Sequence, residues 1–341
     1  MDPFYHEILQ QPNALRKLAE FYSQSQGTTR LSTLSTPAVP ILAGMGASFH
    51  AVWAATLYLH SLGIQASALE TTDLLYYGAS LLTKENCLVF VSQSGASGEV
   101  EPILRSLPRG LSLLAVTNRL ESPLARHAQV LLPLFVDAET TVATQTYLNS
   151  LATLWLLGRR WAGIFDGGEA NVLKAVADHV ESLLETASAS SARWLETLGQ
   201  SKTLLFIGHG PHAATARQAA MNVSEWAKVP ALSTSVGAFR HGFIEIAQPG
   251  LGVVIFAPPG RTHQSACALA VELHDYGARV LIVENGRTRS PYDAAYQGCG
   301  VEEFLSPVLD VIPAQLFAQA LAGHLKVTAG FRHISKVVTQ L

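Results

Sequence analysis

The sequence predicts an α/β fold of two tandem halves, each a parallel sheet with helices on both faces. Three observations carry this. Short apolar runs with the length of buried strands alternate with longer apolar-periodic segments, the pattern of βαβ units joined by right-handed crossovers. One unit, a strand running into G-x-G and then a helix, is written twice. The 341 residues exceed what one core commonly holds, and 48% are hydrophobic while 14% are charged, a composition that favours compact burial over disorder.

Taken in order, residues 1–21 read as an amphipathic helix with an acid near its start, no cleavable signal and no apolar run long enough to span a bilayer. A cytoplasmic protein is expected. Thr28–Pro40 is rich in Ser, Thr and Pro and reads as a linker. A strand from Ile41 then runs into Gly44-Met45-Gly46-Ala47-Ser48 and a helical segment over Phe49–Leu62. Cys87–Val91 has the character of a strand buried on both faces. It breaks into Ser92-Gln93-Ser94-Gly95-Ala96-Ser97, where a helix should begin. Leu113–Thr117 follows as a strand, and a long helix is expected over Glu139–Trp161. The second half restates the unit as a strand over Leu204–Ile207, then Gly208-His209-Gly210, then a helix over Pro211–Lys228. The glycine pairs recur at one constant offset, shared by Leu88–Val91 and Gly252–Ala257 and nearly kept by Leu113–Thr117 and Leu281–Glu284. The Gly163–Gly168 break sets the boundary. It divides the chain into an N-terminal helix and linker (1–30), a first domain (31–166), a second domain (167–330) and a tail (331–341).

Net charge is −3 and no Lys/Arg cluster occurs, so neither nucleic acid nor an anionic membrane is an expected partner. Cys87, Cys267 and Cys299 are odd in number, isolated and without metal-type spacing, and read as buried thiols. No metal and no cofactor are expected; the first G-x-G continues as Ala-Ser, without the third glycine and downstream acid of a dinucleotide site. Ligands of parallel sheets sit beyond the carboxyl ends of the strands, where both G-x-G turns and the Ser-rich turn lie. The hydroxyls of Ser92, Ser94 and Ser97, with the N–H groups of a helix's first turn, can converge on a phosphate. On these residues alone, a Ser-rich N-cap without a ligand is an equal reading. The second copy tips the balance. Its equivalent is Pro258-Pro259-Gly260, which has no hydroxyls and, at the prolines, no N–H donors.

Several separated motifs from Ile41 onward resemble the sugar isomerase (SIS) family, which includes the isomerase half of glucosamine-6-phosphate synthase and stand-alone relatives. Gly44–Ser48 resembles the family's G-x-G-T-S turn with Ala47 for Thr, and Ser92–Ser97 resembles its S-Q-S-G-E-T phosphate loop with Ala96 for the acid. Glu139–Thr144 is similar to its E-x-x-V-A-S/T segment. The resemblance implies two flavodoxin-like αβα sandwiches. It also implies a site where Gly46, Ala47, Ser48, Ser92, Gln93, Ser94 and Ser97 bind a sugar phosphate while Val142 and Thr144 line the sugar. Ala219–Glu225 resembles the helix ending in the family's catalytic Glu, which makes Glu225 the implied base for proton transfer between C1 and C2. Arg240-His241-Gly242 resembles its K-H-G loop, which makes His241 the implied ring-opening residue. Ile334–Val338 resembles the L-A-K-S-V tail, which implies that Lys336, beside Ser335, closes over the sugar and can form an imine with a ketose. Family members commonly dimerise so that this His reaches the neighbouring subunit; the implied partners are a small-molecule sugar phosphate and a second copy of the chain.

Each catalytic candidate also has a plainer reading. Glu225 reads as an exposed helix carboxylate, although helical geometry sets Gln218, Asn222 and Glu225 on one face. His241 reads as an incidental turn residue, and Lys336 as an exposed tail lysine. His50, His209, His212 and His274 read as surface or packing residues. Gln218 and Asn222 stand where the synthase has Glu and Lys, and Phe243 stands where it has Pro. The chain opens Met1-Asp2-Pro3 without a glutaminase domain or its cysteine nucleophile, so production of ammonia from glutamine is not expected. The resemblance then implies isomerisation and deamination of an amino-sugar phosphate such as glucosamine-6-phosphate. A fructosamine-6-phosphate deglycase and a non-catalytic sugar-phosphate-binding regulator are the alternatives.

Overall fold

The computed structural model describes residues 2–32, 39–328 and 330–339. Two compact units result. The first comprises Asn13–Glu139, Ala143–Ala175 and Arg332–Leu341; the second comprises Met1–Pro12, Thr140–Val142 and Val176–Phe331. The first stretch of chain is α1 (Pro3–Leu9), started by Asp2, whose carboxylate accepts from the Tyr5 N–H, and by Pro3 at the first helical position. After it come α2 (Gln11–Ser23) and α3 (Ser25–Ser32). The expected linker is therefore helical as far as Ser32, and residues 33–38 of it lie outside the described residues, as do the last two of the tail.

In the first unit β1 (Pro40–Gly44), α4 (Ala47–Ser61), β2 (Ser67–Glu70), α5 (Thr71–Tyr76), β3 (Cys87–Val91), α6 (Val100–Ser106), β4 (Ser112–Thr117), α7 (Pro123–His127), β5 (Val130–Pro133) and α8 (Gln145–Trp161) follow in order. The strands form a wholly parallel sheet in the order β2-β1-β3-β4-β5. Every residue of β1 and of β3 is buried, as a sheet covered on both faces requires. Ile41, Ala43, Leu88, Phe90, Leu113 and Ala115 turn one face onto Val100 and Ile103 of α6. Cys87 sits inside this sheet, where burial pushes its thiol up to about 12 and makes it an unreactive packing residue.

The second unit takes the rest: α9 (Glu169–Glu185), which runs across the division, α10 (Ala187–Leu198), β6 (Thr203–Gly208), α11 (Pro211–Asn222), β7 (Ala231–Ser235), α12 (Val236–Arg240), β8 (Leu251–Phe256), α13 (His263–Asp275), β9 (Arg279–Glu284), β10 (Arg287–Arg289) and α14 (Pro307–His324). Its order, β7-β6-β8-β9-β10, repeats that of the first sheet. The repeat extends to single dihedral angles. Gly46, before α4, has φ 55° and ψ −125°, and its counterpart Gly210, before α11, has φ 54° and ψ −125°. Only glycine takes that conformation without strain.

One strand breaks the parallel pattern. β10 returns antiparallel to β9 because only Asn285 and Gly286 separate them, both at positive φ, and a two-residue Asn-Gly turn makes a hairpin where a parallel return needs a crossover. No helix among the described residues is long and apolar enough to cross a membrane.

Candidate active site

In the first sheet β1 and β3 are neighbours, and the chain leaves them towards opposite edges, to β2 and to β4. A crevice opens beyond the carboxyl ends of such a pair. There, Met45–Ser48 after β1 and Ser92–Glu99 after β3 border a cavity of about 410 Å3. Gly46, Ala47, Ser48, Ser92, Gln93, Ser94 and Ser97 all line it, as does Lys336 from the tail. Gly44 lets α4 approach this closely, since a Cβ there would lie 2.9 Å from the Ser48 carbonyl carbon.

The serine loop is longer than the sequence suggests, because α6 begins at Val100 and not within it. Its three hydroxyls are not equivalent. Ser92 Oγ accepts from the Gly95 N–H at 3.1 Å and Ser94 Oγ accepts from the Ala96 N–H at 3.3 Å, which leaves each O–H proton available to an anion. Ser97 instead donates its proton to Glu99 at 2.7 Å. Glu99 is buried, accepts also from Thr71 Oγ1, and lines the cavity. The Gln93 carbonyl, which accepts from the Asn118 N–H and Thr117 Oγ1, ties the loop to the end of β4. At Gly95, φ is +58° and a Cβ would meet Ser122 Oγ at 2.2 Å, so glycine is required there.

The expected helix over Glu139–Trp161 starts at Gln145, because the residues before it are held by carboxylates. Glu139, its side chain wholly buried, accepts from the Thr144 N–H at 2.7 Å, Thr144 Oγ1 at 2.9 Å, Thr146 Oγ1 at 2.8 Å and Lys336 Nζ at 3.0 Å. In the second unit Glu7 accepts from the N–H and hydroxyl of Thr140 and the N–H of Thr141. Two expectations change as a result. Val142 and Thr144 are buried and do not line the cavity, the Thr144 hydroxyl being bound to Glu139; Ala143 and Thr146 line it instead. Lys336 reaches the cavity as half of an ion pair, and imine chemistry would require it to leave Glu139. The tail is also fastened by the Gly98 N–H, which donates to the Val338 carbonyl at 3.1 Å. Ser335 is exposed, does not reach the cavity, and donates to the Val337 carbonyl at 2.6 Å in the turn that carries Lys336.

In the second unit α11 ends at Asn222 and the chain widens into a π turn over Val223–Ala227 that holds Glu225. Gln218 and Asn222 are fully buried, with Gln218 Nε2 donating to Asn222 Oδ1 at 2.8 Å. Glu225, only partly buried, follows after the change of helical pitch, so the regular helical face ends with that amide pair. Trp226 anchors the turn against Phe4, their ring centroids 4.9 Å apart. Lys228, at φ 58°, closes it by donating to the Glu225 carbonyl and, at 2.8 Å, to the Gly330 carbonyl. π turns of this kind recur at functional sites. His241 follows α12 as its C-cap and is exposed, with Phe243 53% exposed beside it.

His212, read as a surface or packing residue, is buried with Nε2 2.9 Å from Asp310 Oδ2 and 3.0 Å from Ser306 Oγ. These three join the starts of α11 and α14, and burial pushes the Asp310 carboxyl above its usual range. A larger cavity of about 590 Å3 lies among α9, α10, α14 and the β9–β10 hairpin. Its arginines are already engaged, Arg193 with Asp293 and Arg287 over the ring of Tyr296, which also lines the cavity, and it has no serine loop.

Comparison with known proteins accords with this geometry. The SIS domain family model matches residues 40–160 and 197–325. The isomerizing glutamine–fructose-6-phosphate aminotransferase of Streptococcus pneumoniae is 27% identical over 354 residues, covering 99% of this chain and 58% of the relative. The chain thus spans little more than half the length of that relative. Among solved structures, the C-terminal domain of glucosamine-fructose-6-phosphate aminotransferase from Francisella tularensis matches with a TM-score of 0.85 at 16% identity, covering 96% of this chain and 98% of that one. Glucosamine-6-phosphate deaminase from Thermotoga maritima matches with a TM-score of 0.81 at 19% identity, covering 98% and 99%. At these identities the structural likeness speaks for the fold.

Proposed function

The chain belongs to the SIS domain family, and on that premise we propose that it is a phosphosugar isomerase that converts an amino-sugar phosphate such as glucosamine-6-phosphate into the ketose phosphate with loss of ammonia. The observation that carries this reading is the serine loop at the crevice between β1 and β3. It offers two hydroxyl protons and is bordered by the tail lysine. Ser92 and Ser94 hold the phosphate, Ser48 orients a sugar hydroxyl, and His241 opens the ring. Glu225 takes the proton from C2 of the open aldose and returns it to C1. The resulting C2 imine then takes up water and releases ammonia, so that amino-sugar phosphate and water become ketose phosphate and ammonia. Lys336, paired with Glu139, serves in this reading as a fixed positive charge near the phosphate. A cytoplasmic homodimer in which the exposed His241 serves the neighbouring subunit belongs to the same reading.

The test is release of ammonia and fructose-6-phosphate from glucosamine-6-phosphate by the full chain. Absence of turnover would overturn the reading, and faster release of an amino acid from a fructosamine-6-phosphate would move it to a deglycase. The unequal hydroxyls give a second expectation. Ser94→Ala should weaken phosphosugar binding about tenfold, the value of one hydrogen bond to a charged group, whereas Ser97→Ala should change it by about threefold or less. Calorimetric titration with a hexose phosphate measures both, and equal losses would show that Ser97 turns away from Glu99 to bind the ligand.

A further inference from the structure

Helix α13 carries His263 and Cys267 four residues apart, so both side chains project from one face. Glu284 closes β9, its side chain fully buried, and comes to the same point. Cys267 Sγ lies 3.7 Å from His263 Nε2 and 3.9 Å from Glu284 Oε1. His263 Nδ1 lies 4.0 Å from that carboxylate oxygen. His263 Nδ1 also stands 2.8 Å from the Ala257 carbonyl. A carbonyl only accepts, so Nδ1 carries the proton and Nε2 presents its lone pair. A second hydrogen bond of that kind is what fixes the tautomer of a metal-binding histidine.

We propose that His263, Cys267 and Glu284 bind a thiophilic divalent cation such as zinc. In a tetrahedral zinc site with bonds of about 2.0–2.3 Å, ligand atoms stand roughly 3.3–3.7 Å apart, so Cys267 Sγ is already within a few tenths of an ångström of that spacing from His263 Nε2 and from Glu284 Oε1, and the imidazole must swing towards the carboxylate to complete the site. Sulfur and imidazole with one carboxylate select zinc over magnesium or calcium. The carboxylate is held from outside, since Arg289 donates to Glu284 Oε1 at 2.5 and 2.9 Å and the Tyr296 N–H donates to Oε2 at 3.0 Å. Arg289 also donates to Cys267 Sγ at 3.2 Å and so holds the sulfur beside the carboxylate. An ion pair between Arg289 and Glu284 accounts for those two residues alone, and it gives no reason for the imidazole and the thiol to converge on the same carboxylate. The imidazole is 30% exposed, which gives the ion access and leaves a fourth coordination position open to solvent. The three ligands are distinct from the residues proposed to act on the phosphosugar.

The experiment is titration of the metal-free full chain with cobalt(II), which absorbs in the near ultraviolet when bound by a thiolate. One equivalent should saturate the band, zinc should displace it, and Cys267→Ser should abolish it. His263→Ala, at a partly exposed position, should lower the affinity at least tenfold, whereas Cys299→Ser should leave the band unchanged. Zinc should raise the unfolding midpoint of the wild type by roughly 5 °C and that of Cys267→Ser not at all. No cobalt–thiolate band in the wild type, or a band that survives in Cys267→Ser, would overturn the proposal and leave the cluster as an ion pair with two neutral neighbours.

Discussion

Glu225→Gln is expected to lower turnover of glucosamine-6-phosphate by about a thousandfold, roughly 4 kcal/mol of transition-state stabilisation, while phosphosugar affinity stays within about twofold. The substitution keeps side-chain shape and removes the basic oxygen. The position itself should hold, because the π turn is fixed by Trp226 against Phe4 and by Lys228 on two carbonyls, and none of these contacts uses the carboxylate. The neighbouring Gln218 and Asn222 side chains are neutral, so neither can stand in for Glu225 as a base at neutral pH. Two measurements are needed, ammonia release and exchange of the C2 proton in deuterated water. Loss of both in the variant assigns proton transfer to Glu225. Undiminished exchange would remove it from that role. A wild-type chain that binds hexose phosphate and exchanges no C2 proton would be a sugar-phosphate-binding protein and not an isomerase.

What the sequence made legible was whatever depends on neighbours in the chain. The two G-x-G turns declare themselves because Gly46 and Gly210 need a dihedral angle that only glycine tolerates, and the strands because a sheet covered on both faces needs unbroken apolar runs. The serine loop stood out against its proline-bearing twin for the same local reason. What escaped depends on partners distant in sequence. Glu139 reads as the start of a helix until Lys336, 197 residues later, is seen to share its carboxylate with Thr144 and Thr146. Nothing near it in the chain marks Glu99, which Thr71 and Ser97 engage beside the cavity. The four-residue spacing of His263 and Cys267 was present in the sequence, yet its meaning came only from Glu284, which the sheet brings from 17 residues beyond Cys267. Composition misjudged Thr28–Ser32, the start of the expected linker, which belongs to a helix with Leu31 buried and Arg30 bound to the Leu131 carbonyl.

Glu139→Ala is expected to destabilise the first unit by about 3 kcal/mol, the scale for removing one partner of a buried ion pair. The loss has two sources. Lys336, only 25% exposed, keeps its charge beside the cavity without its carboxylate, and the N–H and hydroxyl groups of Thr144 and Thr146 lose their acceptor in a buried place. Lys336→Met should cost less, about 1 kcal/mol, since Glu139 would retain its threonine donors and methionine fills most of the volume of the lysine stem. Urea unfolding read at the first unit's transition gives both values. The order matters more than either figure, for if Lys336→Met proved as damaging as Glu139→Ala, the carboxylate would have to depend chiefly on the tail and not on its own segment. Both variants also lose the ion pair that fastens the tail. Without that pair the tail is held less firmly, by contacts such as the Gly98–Val338 hydrogen bond, so in either variant trypsin should cleave after the exposed Arg332 several times faster than in the wild type. Saturating hexose phosphate should restore protection in Glu139→Ala if Lys336 meets the ligand's phosphate, because the phosphate then supplies the anion that the carboxylate no longer does. Protection that returns in Glu139→Ala and not in Glu139→Ala/Lys336→Met assigns the lysine to ligand capture. Identical behaviour of the two would confine it to holding the tail.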